Sequence, residues 1–325
     1  MRGSCQGGRY GLFETILRPW ALRLGEILVV SLALTSGRLI ASNVPSGTSL
    51  NTGNALYTNL VAAWPINEGS GTTTTDSRNS IACTLSSSGA NQPTWGTGDG
   101  VGGHVLHFQA GASLNSYLDC GTPVPVQDIG VGGLSASFAF RVLINNAGGM
   151  KMAQRNDGNS VQVGWWLGDF GFVHEFSNNN CYHYGATSIT TASYHTVIMT
   201  WDGSASSANI LAYVDGTLYA SWTSMHDAIG TTATDASFHL LLGNENVTGN
   251  LFTSGSLDGN LSWFYIWTNR VLSSTEVTSL TNSPFQIFNL ASLRNLPLLG
   301  VGEEEIAISG TVLIGLMGVA FLRRK

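Results

Sequence analysis

Short segments in which apolar and polar residues alternate fill the chain between residues 60 and 288. Four clear segments are SASFAFRVLI (Ser135–Ile144), HTVIMTW (His195–Trp201), NILAYV (Asn209–Val214) and FHLLLG (Phe238–Gly243). Each is rich in β-branched and aromatic residues, and clusters of Gly, Asn, Asp and Ser separate them, which is typical of short strands joined by turns. Helical periodicity is nearly absent, and only SSTEVTSL (Ser273–Leu280) predicts one or two helical turns.

The two Asp-Gly pairs, Asp202-Gly203 and Asp215-Gly216, predict turns rather than catalytic sites. A two-residue hairpin turn needs residues that accept a positive φ, and Asp-Gly meets that need. In HTVIMTW, the strand period of two places Val197, Met199 and Trp201 on one face. Many short strands with such turns predict an all-β fold, an antiparallel two-sheet jelly-roll sandwich.

Five pieces of sequence, in the same order along the chain, carry a family resemblance. They are LVAAWPINEGSGTTTTDSRNS (Leu60–Ser80), PTW with HVLHFQAGASLNSYLDCG (Pro93–Gly121), SFAFRV (Ser137–Val142), YHTVIMTWDGS with ILAYVDGTLYA (Tyr194–Ala220) and GNLSWFYIWTNRVLSSTEV (Gly259–Val277). Over about two thirds of its length the chain resembles the laminin-G-like branch of the concanavalin A-like lectin and glucanase jelly rolls. The resemblance implies a single jelly-roll domain over residues 60–288.

Calcium is the usual cofactor of the family that the chain resembles, held by oxygens of Asp, Asn and backbone carbonyls. Here QAGASLNS (Gln109–Ser116) replaces an acidic cluster of the family, and Ser262-Trp263 replaces an Asp-Glu pair. Asp119 and Asp258 are the nearby acids that remain, so they are the candidate metal ligands. Calcium is thus the cofactor that the resemblance suggests, and the residues themselves predict none.

Catalytic patterns are weak in this chain, and the sequence predicts a protein that is not an enzyme. Retaining glycosidases of related folds need two carboxylates ~5–5.5 Å apart, which on one strand means two positions apart. Glu68, Glu175, Glu245 and Glu276 each lack an acidic neighbour at that spacing, although a pair assembled from different strands stays open as the basis of a glycosidase. The segment HEFSN (His174–Asn178) lacks the second histidine of the HExxH zinc motif.

The stretch from Val161 to Ser188 combines aromatic rings with amides, which is the chemistry that binds sugars. Trp165 and Trp166 must point to opposite faces of a strand, so one is expected in the core and the other outside. Residues 178–184 are expected to form a loop. The predicted ligand-binding residues are Trp165, Trp166, His174, Asn178, Tyr182 and Tyr184. The alternative interpretation, that these aromatics fill the core and line a loop, stays open.

Charge distribution excludes one class of partner. Charged residues make up 10% of the 325 residues, and between Val44 and Leu290 five Arg and Lys face fifteen Asp and Glu. Because such a domain cannot neutralise phosphates, nucleic-acid binding is not expected. Cys83 and Cys120 both lie in strand-like segments, and a disulfide between them and a set of separate buried thiols are both compatible with the sequence.

Both ends of the chain differ from the middle. Residues 1–43 form a leader with Arg residues and the apolar run ILVVSLALT (Ile27–Thr35), which predicts a possible signal peptide. Residues 44–59 and 289–305 are predicted linkers. The uncharged run IAISGTVLIGLMGVAFL (Ile306–Leu322) would extend about 26 Å as a separate C-terminal apolar helix. With its basic tail, the segment 306–325 predicts a membrane anchor and a secreted or cell-surface location.

These patterns favour a surface-exposed module, without catalysis, that mediates binding or adhesion by recognising a glycan or another surface ligand. The alternative is a structural or decoration protein of a virion or surface assembly, which would associate with other proteins of that assembly. Glycoside hydrolysis is the third hypothesis.

Overall fold

A computed structural model of the protein describes residues 44–45, 47–86, 92–99, 103–111, 114–145, 151–156, 163–168, 171–178, 180–184, 191–219, 224–244, 246–247, 250–251 and 256–289. The predicted leader 1–43, nearly all of the linker 289–305 and the predicted anchor 306–325 therefore lie outside the described residues. Among the residues described, no helix combines the length and apolar character needed to cross a membrane.

Within the described residues the strands are β1 (Leu60–Trp64), β2 (Thr73–Thr75), β3 (Ala82–Leu85), β4 (Thr94–Thr97), β5 (His104–Phe108), β6 (Ala110–Gly111), β7 (Leu114–Asn115), β8 (Leu118–Asp119), β9 (Ala136–Ile144), β10 (Lys151–Asn156), β11 (Gly164–Gly168), β12 (Gly171–His174), β13 (Cys181–Tyr184), β14 (Tyr194–Trp201), β15 (Ile210–Val214), β16 (Thr217–Leu218), β17 (Ser224–His226), β18 (Leu241–Leu242), β19 (Asn246–Val247), β20 (Asn250–Leu251) and β21 (Gly259–Thr268). One α-helix, α1 (Ser274–Asn282), follows β21.

Two antiparallel sheets form the predicted β-sandwich. The first sheet has the order β16-β15-β14-β9-β21-β5-β4, with β1 also paired to β21, and the second has the order β17-β13-β12-β11-β10-β18-β8-β3-β2. Two further pairs, β6-β7 and β19-β20, are small hairpins. The hairpin turn predicted at Asp215-Gly216 is confirmed: it joins β15 to β16, and both residues have positive φ.

The inner faces of the two sheets enclose the main core. Val197, Met199 and Trp201 of β14 all belong to it, as the strand period predicts. The rings of Phe138 and Trp165, from opposite sheets, lie 4.7 Å apart between centroids. Cys83 and Cys120 form a disulfide within the second sheet, which decides between the two arrangements compatible with the sequence.

The outer face of the first sheet packs against a second apolar layer. A register shift in β21 between Leu261 and Trp263 allows Leu261 and Phe264 to face the main core while Trp263, Tyr265 and Trp267 face outward. Val277 and Leu280 of α1, a 3₁₀ turn at Pro284–Ile287 and an N-terminal segment cover these rings.

Residues 44–59 are part of the folded domain rather than a linker. Val44, Leu50 and Leu56 are buried against the first sheet. Leu50 forms a β-bridge with Phe288, and the Trp267 indole donates to the Leu56 carbonyl at 2.7 Å. The reason is that β21 has large apolar side chains on both faces, so its outer face requires a cover.

The acidic residues of the Leu60–Ser80 motif hold its turns. Glu68 accepts hydrogen bonds from the Thr74 hydroxyl at 3.0 Å and from the Thr75 backbone at 2.8 Å. Asp76 is buried and accepts from the backbone N–H groups of Ala63, Arg78 and Asn79. These bonds tie the β2–β3 turn to β1.

Candidate functional site

The register of the second sheet places the predicted aromatic segment beside residues from distant strands. Directly paired residues share a face of a sheet. Across β10, β11, β12, β13 and β17 the pairs run Gln154, Trp166, Val173, Tyr182 and His226. Because the alternating neighbours Leu167 and Phe172 belong to the core, this row faces outward. We call these five residues the outer row.

Trp165 and His174 lie on the opposite face, in the main core. Trp165 is fully buried, which confirms that the two adjacent tryptophans separate into one core residue and one outer residue. The fully buried His174 ring lies 4.7 Å from Trp201 between centroids, and its Nε2 lies 2.8 Å from the Ile129 carbonyl oxygen. Their burial does not fit the ligand-binding role predicted for them.

Burial also lowers the pKa of His174 to about 4, because the free energy lost on removing the imidazolium from water exceeds the stabilisation that it gains from hydrogen bonds to the Ile129 and Glu175 carbonyls. The side chain is therefore neutral at pH 7. A neutral imidazole has one N–H, and the Ile129 carbonyl is the nearer acceptor for it. His174 is thus a packing residue that fixes the loop containing Ile129.

The predicted loop over residues 178–184 is a strand from residue 181 onward. β13 pairs with β12 on one side and with β17 on the other, which places Tyr182 in the middle of a three-stranded ribbon. Tyr184 ends this strand and pairs with Ser224. Asn178 is exposed in the turn after β12, and its backbone N–H donates to the Ile229 carbonyl.

The outer row presents aromatic surface at two places. Tyr182 and His226 stack with ring centroids 5.3 Å apart and planes 26° apart. Trp166 is partly exposed, and the Lys151 ammonium nitrogen lies 3.1 Å from its ring centroid. Flat, partly exposed rings are the groups against which the C–H faces of sugars stack.

Gln154 adds a polar group beside Trp166. Its side chain is fully buried, yet neither Nε2 nor Oε1 has a hydrogen-bond partner among the residues that the structure describes. A buried amide without partners costs about 1–3 kcal/mol per group, so native proteins seldom keep one without a use. Its neighbours on this face, Val173 and Leu241, are apolar and buried.

Sequence reasoning found Trp166 and Tyr182 but missed Lys151, Gln154 and His226. The segment KMAQRN (Lys151–Asn156) has no alternation of apolar and polar residues, so nothing in it indicates that Gln154 is buried. Whether residues of different strands share one row depends on strand register, which the sequence does not specify directly.

The two metal candidates are bonded to protein donors. Asp119 accepts from the His239 Nδ1–H at 2.8 Å and from the Gly121 backbone at 2.8 Å. Asp258 accepts from the Asn145 amide at 3.2 Å. Within the described part of the chain, no group of three or more His, Cys, Asp or Glu side chains converges to hold a metal ion.

A separate cleft of about 380 Å³ lies between residues 47–49 and the connection from β1 to β2. Glu68 and Asp76 line it together with hydroxyl side chains. Burial raises the pKa of Asp76, against the opposing effect of its backbone hydrogen bonds. Both carboxylates are occupied by bonds that hold the turns, as described above.

No protein-family profile and no curated protein matches the chain. Among solved structures, the Trypanosoma rangeli sialidase in complex with sialic acid is 16% identical with a TM-score of 0.44, and the match covers 76% of this chain and 36% of the sialidase. The fourth domain of a GH43 extracellular arabinanase from Geobacillus stearothermophilus, in complex with arabinotriose, is 13% identical with a TM-score of 0.43 and covers 69% of this chain and 98% of that domain.

The chain thus spans about a third of the sialidase. At this level of identity and overlap the likeness bears on neither activity nor ligand.

Proposed function

We propose that the protein is a laminin-G-like jelly roll that binds a glycan, without catalysis, on the outer row of its second sheet. The observation that carries the proposal is the buried Gln154 amide, which has no hydrogen-bond partner among the described residues and is directly paired with the partly exposed Trp166. The Trp166 ring supplies an apolar platform, and the buried amide beside it is a hydrogen-bonding group that no described residue uses. This pairing is what recognition of a sugar ring requires.

The chemistry of the row also supports binding over bond cleavage. The five outer-row residues include no carboxylate, whereas glycoside hydrolysis needs two. We further propose that the module is exported and held at a surface by the segment 306–325, as its sequence predicts.

Affinity electrophoresis tests the binding proposal. The full chain is run through native gels that contain soluble β-glucan, arabinoxylan or galactomannan, and retardation measures binding. We expect Trp166→Ala and Tyr182→Ala to abolish retardation. Trp95→Ala is the matched control, since Trp95 is also partly exposed but lies in β4 of the first sheet.

If the wild-type chain migrates unchanged through every polysaccharide, the proposal fails. Equal losses with Trp166→Ala and Trp95→Ala would place the site elsewhere. Release of reducing sugar that disappears with Glu68→Gln would instead favour catalysis in the cleft near Asp76.

A further inference from the structure

Lys151 covers the ring that the proposed binding site would use. Its ammonium nitrogen lies 3.1 Å from the Trp166 ring centroid. This is the position that the atoms of a ligand stacked on the same face of the ring would occupy. A ring face holds one such group at a time. A sugar that stacks on this face of Trp166 must therefore displace the ammonium.

Strand register explains why Lys151 is there. The bulge in β10 between Lys151 and Ala153 leaves Lys151 paired with Gly168, while Gln154 pairs with Trp166. Gly168 is two residues from Trp166, so both lie on the same face of β11. Because Gly168 has no side chain, the lysine side chain has room to cross diagonally onto the indole.

We propose that Lys151 is a lid on Trp166 that limits the affinity of the outer row for neutral glycans. This inference rests on the proposed function. Each neutral ligand must exchange the cation–π contact for its own stacking contact, and a neutral sugar brings no charge to hold the displaced ammonium. Lys151 is thus a residue that determines specificity rather than part of the platform.

A substitution series at Lys151 separates a lid from a ligand contact. Lys151→Ala uncovers the ring, and we expect neutral β-glucan to bind about two- to fivefold more tightly, the factor that corresponds to an exposed cation–π contact. Lys151→Arg keeps a cation that stacks on indoles, so its binding should be no tighter than that of the wild type. Trp166→Ala should abolish binding whether residue 151 is Lys or Ala.

The lid can also be tested without a ligand. An ammonium held over an indole places the Lys151 ε-methylene protons in the ring current, so NMR should show them shifted upfield in the wild type. The shift should vanish in Trp166→Leu, and its absence from the wild type would overturn the lid.

The binding results distinguish the two proposals. If the wild type binds and Lys151→Ala binds equally or more weakly, the lid is overturned while the outer-row site stands. If neither chain binds any of the polysaccharides, the proposed function fails.

Discussion

Replacing Gln154 by Met should stabilise the protein and remove its ligand binding. The native amide is buried with both polar atoms unpartnered among the described residues, and burying an amide without hydrogen bonds costs about 1–3 kcal/mol. Methionine has a similar shape and no such requirement. Because the amide is hydrated in the unfolded chain, we expect a net rise of about 1–3 kcal/mol in the free energy of unfolding.

Urea denaturation followed by tryptophan fluorescence measures this change, and affinity electrophoresis measures binding of the same variant. Gln127→Met is the matched control, since the partly buried Gln127 amide donates to the carbonyls of Thr122 and Ala236. That substitution removes satisfied hydrogen bonds and should not stabilise. A fall in the free energy of unfolding for Gln154→Met would refute the reasoning about the orphaned amide, and unchanged binding would show that the amide does not contact the ligand.

Three further predictions concern stability. The pKa of His174 is lowered from 6.5 to about 4, so the stability from its neutral form is complete above about pH 6.5, and about 3 kcal/mol is lost as the pH falls to 4. The pKa of Asp235 is raised to about 6, so its protonation stabilises the folded state as the pH falls and opposes the effect of His174. The measured quantity is therefore the difference in unfolding free energy between the wild type and His174→Gln, which cancels the contribution of Asp235. A difference that does not vary with pH would contradict the prediction. Replacing both Cys83 and Cys120 by Ser removes a disulfide between residues 37 positions apart. We expect the free energy of unfolding, measured by urea denaturation, to fall by about 2–4 kcal/mol. Ser273→Ala removes the N-cap of α1 and should lower the free energy of unfolding by about 0.5–2 kcal/mol, with unchanged glycan retardation as the check that the outer row is unaffected.

Local patterns predicted much of the fold because their causes are local. The strand around His195–Trp201, the turn at Asp215-Gly216 and the short helix after Ser273 each follow from a few adjacent residues. The helix begins where Ser273 and Glu276 form a reciprocal capping box, which the sequence SSTE contains. The division of Trp165 and Trp166 between two faces follows in the same way from period two.

Features that depend on distant pairing were missed. The segment with Val44 and Leu50 looks like a linker because it has too few apolar residues to show a period, yet the outer face of β21 buries them. The outer row joins Gln154 to His226 through three intervening strands, and no local pattern sets that register. The bulge at Ser262 changes which face later residues of β21 occupy, and it too depends on the neighbouring strand.

The contrast between the outer faces of the two sheets explains where binding can evolve in this sandwich. On the first sheet, Trp263, Tyr265 and Trp267 form an aromatic surface, which the domain covers with α1 and the segment around Leu50 and Leu56. On the second sheet, the row through Trp166 and Tyr182 mixes rings, an amide and a cation. A face of large aromatic side chains gains most from being closed within the fold, whereas a face that also has an amide and a cation can exchange contacts with a hydroxylated ligand at little cost. The outer row is therefore the part of this scaffold where binding can change without loss of the core.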